Sequence, residues 1–178
     1  MLNALCNYAD KNLSGIEPGF ARKQVKWVLC CDENGRYTGL IDLGEDTRGR
    51  WFDKSPVTPN MNSGGKSHFL AETLDTVTLF GQQELEEKKQ LALQNKNQFF
   101  CDLLIQASEG IPTLKAAVTL LQDSQQLVQI HADIEAKGNK IKLTEIVTLR
   151  INESIPLQSD HWHEWWRDYY LQATEDKS

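Results

Sequence analysis

The sequence predicts an α+β domain in which antiparallel β-hairpins pack with several helices. Two β-favouring runs flank an Asn-Gly pair at 34–35. Stretches with helical apolar spacing fill most of the remainder. A long Gly/Ser/Asn-rich loop separates the first hairpin from the central helices. The chain has 178 residues, 40% of them hydrophobic and 25% charged, which fits one globular domain.

The elements follow in order. Leu2, Leu5, Cys6, Ala9 and Leu13 recur at three- and four-residue spacing, which predicts a short N-terminal helix; Gly15, Pro18 and Gly19 end it. Residues 25–31 and 37–43 read as strands around Asp32-Glu33-Asn34-Gly35-Arg36, the strongest short-range hairpin signal. Residues 44–67 have few apolar anchors and read as a long loop with room for a short strand near Trp51-Phe52. Loops of that length inside a compact domain are usually functional or disordered.

Residues 69–80 read as a helix ending at Gly81, although Thr73, Thr76, Val77 and Thr78 are β-branched. Residues 83–108 read as a long helix, and residues 114–123 as the next, with Pro112 near its first turn. Residues 127–134 and 141–151 are strand-like, with Gly138-Asn139 as a hairpin-like break between them. Residues 160–173 read as an aromatic-rich terminal helix, and 174–178 as a frayed tail.

Composition narrows the function classes. No apolar run approaches the about 18 residues of a membrane helix, and the first twenty residues lack the basic and apolar regions of a secretory signal. Cys6, Cys30, Cys31 and Cys101 form no CxxC pair and no disulfide framework, so they read as buried reduced thiols in a cytoplasmic protein. The net charge is −6, which alone argues against a free-standing nucleic-acid binder. Yet residues 20–70 carry eight basic and six acidic side chains, a net +2 against −8 elsewhere. Any anion-facing surface belongs there.

The motifs are sparse. Gly64-Gly65-Lys66-Ser67 ends like a phosphate-cradling loop, but Asn60 stands where such a loop needs its first glycine. The stretch reads either as an exposed connection with an incidental lysine or as small residues offering backbone N–H groups and one cation ahead of a helix. In Asp160-His161-Trp162-His163-Glu164 the two histidines alternate and would not share a helix face, so no metal site is expected. Trp162, Trp165, Trp166, Tyr169 and Tyr170 have the spacing of a core-facing stripe, with base stacking as the alternative. No nucleophile motif occurs, and the sequence predicts no enzyme and no cofactor.

Several short motifs in one order carry a resemblance. Pro18-Gly19-Phe20 precedes Val25-Lys26-Trp27-Val28. The Asn34-Gly35 hairpin leads into Gly39-Leu40-Ile41-Asp42-Leu43. Arg48-Gly49-Arg50, a proline at 56 or 59, and Ser63-Gly64 follow, then Lys66, Phe69 and Leu70. Gly81, a Lys/Glu-rich helix with Phe99 or Phe100, and Trp165-Trp166 complete the series. This order resembles the N-terminal domain of the large subunit of the type I-C (Dvulg subtype) CRISPR Cascade surveillance complex.

The resemblance runs along nearly the whole chain and implies a single domain, 1–178, of a longer subunit. It also implies a role. The family's large subunit reads the protospacer-adjacent motif on target double-stranded DNA and helps to start strand separation. It sits within the guide RNA complex beside the subunit that binds the guide's 5′ handle, and it contributes to recruiting the helicase–nuclease effector. Base pairing reads the rest of the target. On this chain the functional loop is 44–68. Asn60 or Asn62 would meet an adenine edge, Lys66 a guanine edge or phosphate, and His68 a base. Ser63, Gly64, Gly65 and Ser67 complete the segment, and Arg48, Arg50 and Lys54 would hold phosphates. Ser67-His68 stand where the family has Pro-Asn. The alternative is a protein-interaction scaffold within the complex that makes no DNA contact.

Overall fold

The structure is a computed structural model that describes residues 17–44 and 48–175. The helix expected at 2–13 lies outside the described residues, as do Cys6 and residues 176–178. The architecture is α+β: among the described residues, six strands in two sheets pack with five α-helices.

β2 (Trp27–Cys31) and β3 (Tyr37–Asp42) form the hairpin expected around Asn34-Gly35. The Asp32 carboxylate accepts hydrogen bonds from the backbone N–H groups of Asn34 and Arg36 at 2.9 and 3.0 Å. Gly35 takes φ +78°, and a Cβ there would lie 2.7 Å from Thr119, so the turn needs glycine for both conformation and space.

β2 is buried at every position because strands flank it on both sides: the sheet order is β3-β2-β6-β5. β6 (Ile146–Ile151) runs parallel to β2, whereas β5 (Ala71–Thr73) is antiparallel to β6. Cys30 and Cys31 point to opposite faces and are buried, and Cys101 is buried as well. Burial pushes the Cys31 thiol up to about 12 and Cys101 to about 11.

Several expectations change. Residues 20–25 form a strand of their own, β1 (Phe20–Val25), separated from β2 by Lys26 alone. Its polar sequence FARKQV hides it from an apolar-run criterion. β1 pairs antiparallel with β4 (Arg50–Pro56), a full strand where a short one was expected. The open stretch shrinks accordingly to 57–70.

Residues 69–80 are not one helix. Leu70 takes φ +67°, β5 pairs with β6, and only α1 (Leu74–Thr78) is helical. Local side-chain bonding explains this: the Thr73 hydroxyl donates to the Asp75 carboxylate at 2.7 Å, and Thr73 itself remains extended. α1 ends at Leu79, in the left-handed region, not at Gly81. α2 (Glu87–Ser108) begins later than 83, after a short 3₁₀ turn, and α3 (Leu114–Gln122) lies as expected.

Residues 127–134 belong to α4 (Ser124–Lys137), not to a strand. The Asp123 carboxylate caps this helix by accepting from the N–H groups of Gln125 and Gln126. Ile130 and Ile134, one turn apart, are its buried contacts. Gly138-Asn139 therefore follows a helix and does not turn a hairpin, and β6 is only the last part of 141–151.

α3 packs on β2 and β6, α4 on β3, and α2 against α1 and α3. A second packing centre gathers around the terminal helix α5 (His163–Glu175). The Trp166 ring stacks on Phe69 with centroids 5.4 Å apart, and Trp162 lies 5.6 Å from Phe20. Both indoles are buried with their N–H satisfied: Trp166 donates to the Gly19 carbonyl at 2.7 Å and Trp162 to that of Leu157 at 3.3 Å. The aromatic stripe is core at these two positions.

Candidate nucleic-acid interface

The loop between β4 and β5 is joined across its base. Val57 N–H donates to the Gly19 carbonyl at 2.9 Å, the same oxygen that receives the Trp166 indole. The Thr58 hydroxyl then donates to the Ser67 carbonyl at 2.6 Å, and Thr58 N–H to Nδ1 of His68 at 3.1 Å. Glu72 closes the far leg: its carboxylate accepts from the N–H groups of His68 and Thr73, each at 2.8 Å. A compact loop with its ends close together and its own internal packing is often functional.

Between these legs the chain turns tightly. Asn60 is left-handed at φ +61°, and a short 3₁₀ turn spans Met61–Ser63. The Ser63 hydroxyl donates to the Asn60 carbonyl at 3.0 Å. Gly64 and Gly65 take φ +80° and +68°; around Gly64 nothing lies within 4 Å of a Cβ position, whereas at Gly65 that position is 3.8 Å from Asn95 of α2. Asn62, Ser63 and Gly64 are exposed. Lys66 is half-buried and makes no ion pair or hydrogen bond among the described residues.

The base of the loop holds three titratable groups. Burial, reinforced by the positive charge of Lys23, pulls the His68 imidazole down to about 4 against the opposing effect of Glu72. Burial also lowers the Lys23 amine, again with Glu72 opposing. The geometry uses the neutral imidazole: Nδ1 must keep its lone pair to accept from Thr58, which assigns the proton to Nε2. Ser67 is fully buried, and its hydroxyl donates to the His68 carbonyl. Ser67 and His68 thus bond within the loop, leaving its exposed surface to residues 62–64.

Arg50 and Lys54 have different neighbours. They alternate with Trp51 and Asp53 along β4. The Arg50 guanidinium lies 4.8 Å from the Phe52 ring centroid and donates to the Gln158 side chain at 3.2 Å. It has no carboxylate partner among the described residues. Lys54 lies 3.0 Å from the Glu17 carboxylate, which Arg167 also binds. The Arg167 hydrogen bond outweighs desolvation and, with Lys54, holds the Glu17 carboxyl at about 2. Arg50 and Lys54 border a cleft of about 490 Å³ together with Gln158 and His163. Arg48 is exposed just before β4.

Sequence reasoning missed Thr58, Glu72 and Lys23, the residues that set the loop's shape. One signal was present: Glu72 places a carboxylate directly after the apolar Phe69-Leu70-Ala71. No cluster of three or more His, Cys, Asp or Glu that could hold a metal occurs among the described residues. No described helix is long and apolar enough to cross a membrane. No family model and no curated protein matches the chain.

Proposed function

We propose that the chain is a non-catalytic DNA-recognition domain of a type I-C CRISPR effector complex. On this reading, residues 60–66 meet the protospacer-adjacent motif on the target duplex, and the domain helps to start strand separation. Its partners are the guide-loaded complex, the subunit at the guide's 5′ handle and the helicase–nuclease. The observation that carries the reading, beside the ordered motifs of the sequence, is the loop itself. Its base is fixed by Thr58, His68 and Glu72, while its tip offers Asn62, Ser63 and a Lys66 that makes no ion pair or hydrogen bond among the described residues. A preordered loop loses less freedom on binding than a floppy one. An asparagine and a lysine have the donors and acceptors that read base edges in a groove.

Fluorescence anisotropy of a labelled duplex with a randomised motif beside a fixed flank tests this, with the chain alone and within the guide-loaded complex. Binding that depends on the motif and weakens in Lys66→Ala and Asn62→Ala is the expected result. Unchanged motif preference in both variants within the assembled complex would overturn it.

A scaffold reading has its own support. A mainly apolar cleft of about 650 Å³ opens between the start of α3 and the end of β6, lined by Ile111, Leu114, Ile151, Ile155 and Trp162. Under that reading, substitutions at Ile111 or Ile155 weaken subunit assembly and loop substitutions change nothing.

A further inference from the structure

The four-stranded sheet has two faces, and the helices that pack on it account for one. α3 packs on β2 and β6, α4 on β3 and α1 on β6, and their buried Leu120, Ile130 and Leu74 join Leu29 and Val147 in one core. Val28 and Cys30 point the other way along β2 and stand outside that core. The register sets Ile41 and Thr148 beside Val28, and Gly39 and Arg150 beside Cys30, on the same outer face. Flanking strands close the edges of β2 but not its faces, and a sheet face without a second layer stays wet. Val28 is nevertheless 1% exposed and Cys30 4%. Beside Cys30, nothing lies within 4 Å of a Cβ position at Gly39, which leaves room for another backbone to approach.

We propose that the outer face of this sheet is the docking surface for the chain's own residues 2–13, seated as an amphipathic helix across Val28, Cys30 and Ile41. The occupant follows from pattern and reach. Leu2, Leu5, Cys6, Ala9 and Leu13 make one apolar stripe on an otherwise polar segment. A helix of about twelve residues is marginal in water by itself and needs such a surface. The described chain begins at Glu17, whose carboxylate is bound by Arg167 and Lys54. From Phe20 to Val28 the strands carry the backbone at most about 26 Å. An extended link over 14–16 followed by a helix over 2–13 reaches about 30 Å, enough to return to that face. The docking does not depend on the loop that would read the duplex, which is built from other residues.

Cys30 is a built-in reporter, because its neighbour Cys31 faces the core. The wild-type chain, Leu5→Asp, Leu5→Met and Val128→Asp are treated with iodoacetamide, and alkylation at Cys30, Cys31 and Cys101 is read separately by peptide mass spectrometry. Leu5→Asp should speed alkylation of Cys30 about tenfold or more while Cys31 and Cys101 stay slow. Leu5→Met should behave as the wild type, and so should Val128→Asp, at an exposed site on α4. Hydrogen exchange of the wild-type chain, measured alongside, should be slowed within 2–13. Fast alkylation of Cys30 in the wild type, a Cys30 still protected in Leu5→Asp, or unprotected amides throughout 2–13 would each overturn the proposal. Should Leu5→Asp release all three thiols together, the wild-type exchange result decides alone.

Discussion

The terminal helix and the base of the β4–β5 loop share one acceptor, the Gly19 carbonyl oxygen, yet different forces hold them. α5 is fixed by area: Trp162 and Trp166 bury their full rings against Phe20 and Phe69. The loop is fixed by direction: a hydroxyl, a backbone amide and an imidazole nitrogen with one partner each, and a carboxylate that accepts from two backbone N–H groups. Burial of area tolerates small displacements, whereas hydrogen bonds lose strength steeply with angle. The seam therefore carries stability, and the loop carries shape.

The largest expected effect breaks the seam. Trp166→Ala removes a fully buried ring and leaves the Gly19 carbonyl with Val57 N–H as its remaining donor. A loss of about 3–5 kcal/mol is expected in urea unfolding. A loss below about 1 kcal/mol would place the core elsewhere. Glu72→Ala comes next, at about 1–3 kcal/mol, because the His68 and Thr73 N–H groups lose their acceptor in a mostly buried setting. Hydrogen exchange should accelerate at 58–73 and remain slow in β2 and β6; uniform acceleration would mean that the loop is not an independent unit.

Acid should act on the loop in the same sense. The folded-state pKa of His68 lies below the unfolded value of about 6.5. Above that pH both states hold a neutral ring, and the contribution is complete. As pH falls, the unfolded chain takes up a proton that the folded one refuses, so stability declines until the folded group titrates at about 4. Exchange at 58–68 should rise across that window, and His68→Gln should flatten the dependence. Lys66→Ala is the smallest effect on stability, within about 0.5 kcal/mol. Together with lost duplex binding, that result would separate shape from contact most sharply.

The parts of the fold that a local rule governs were legible. Asn34-Gly35 marked its hairpin because a tight turn needs positive φ there. α4 was misread because Leu127, Val128 and Ile130 favour strands. Its true signals were the Asp123 cap and the Ile130–Ile134 spacing. β1 was invisible because it carries polar side chains, including the half-buried Lys23, on a two-stranded ribbon. In the candidate site, the sequence singled out the stretch 44–68 as a candidate but did not show how it is built. Thr58 meets Ser67 and His68 only because β4 and β5 deliver the two legs together, and no spacing rule encodes that meeting.

The parallel pairing of β2 with β6 also bears on how the chain is made. The Trp27 indole donates to a carboxylate 118 positions further on, at Glu145. On the ribosome, a run of five residues destined for complete burial emerges long before its neighbour does. Until β6 arrives, β2 has only β3 beside it and one bare edge, and unpaired edges of this kind invite association between nascent chains. Yield in cells should thus depend on synthesis speed and temperature more than the finished domain's stability would suggest.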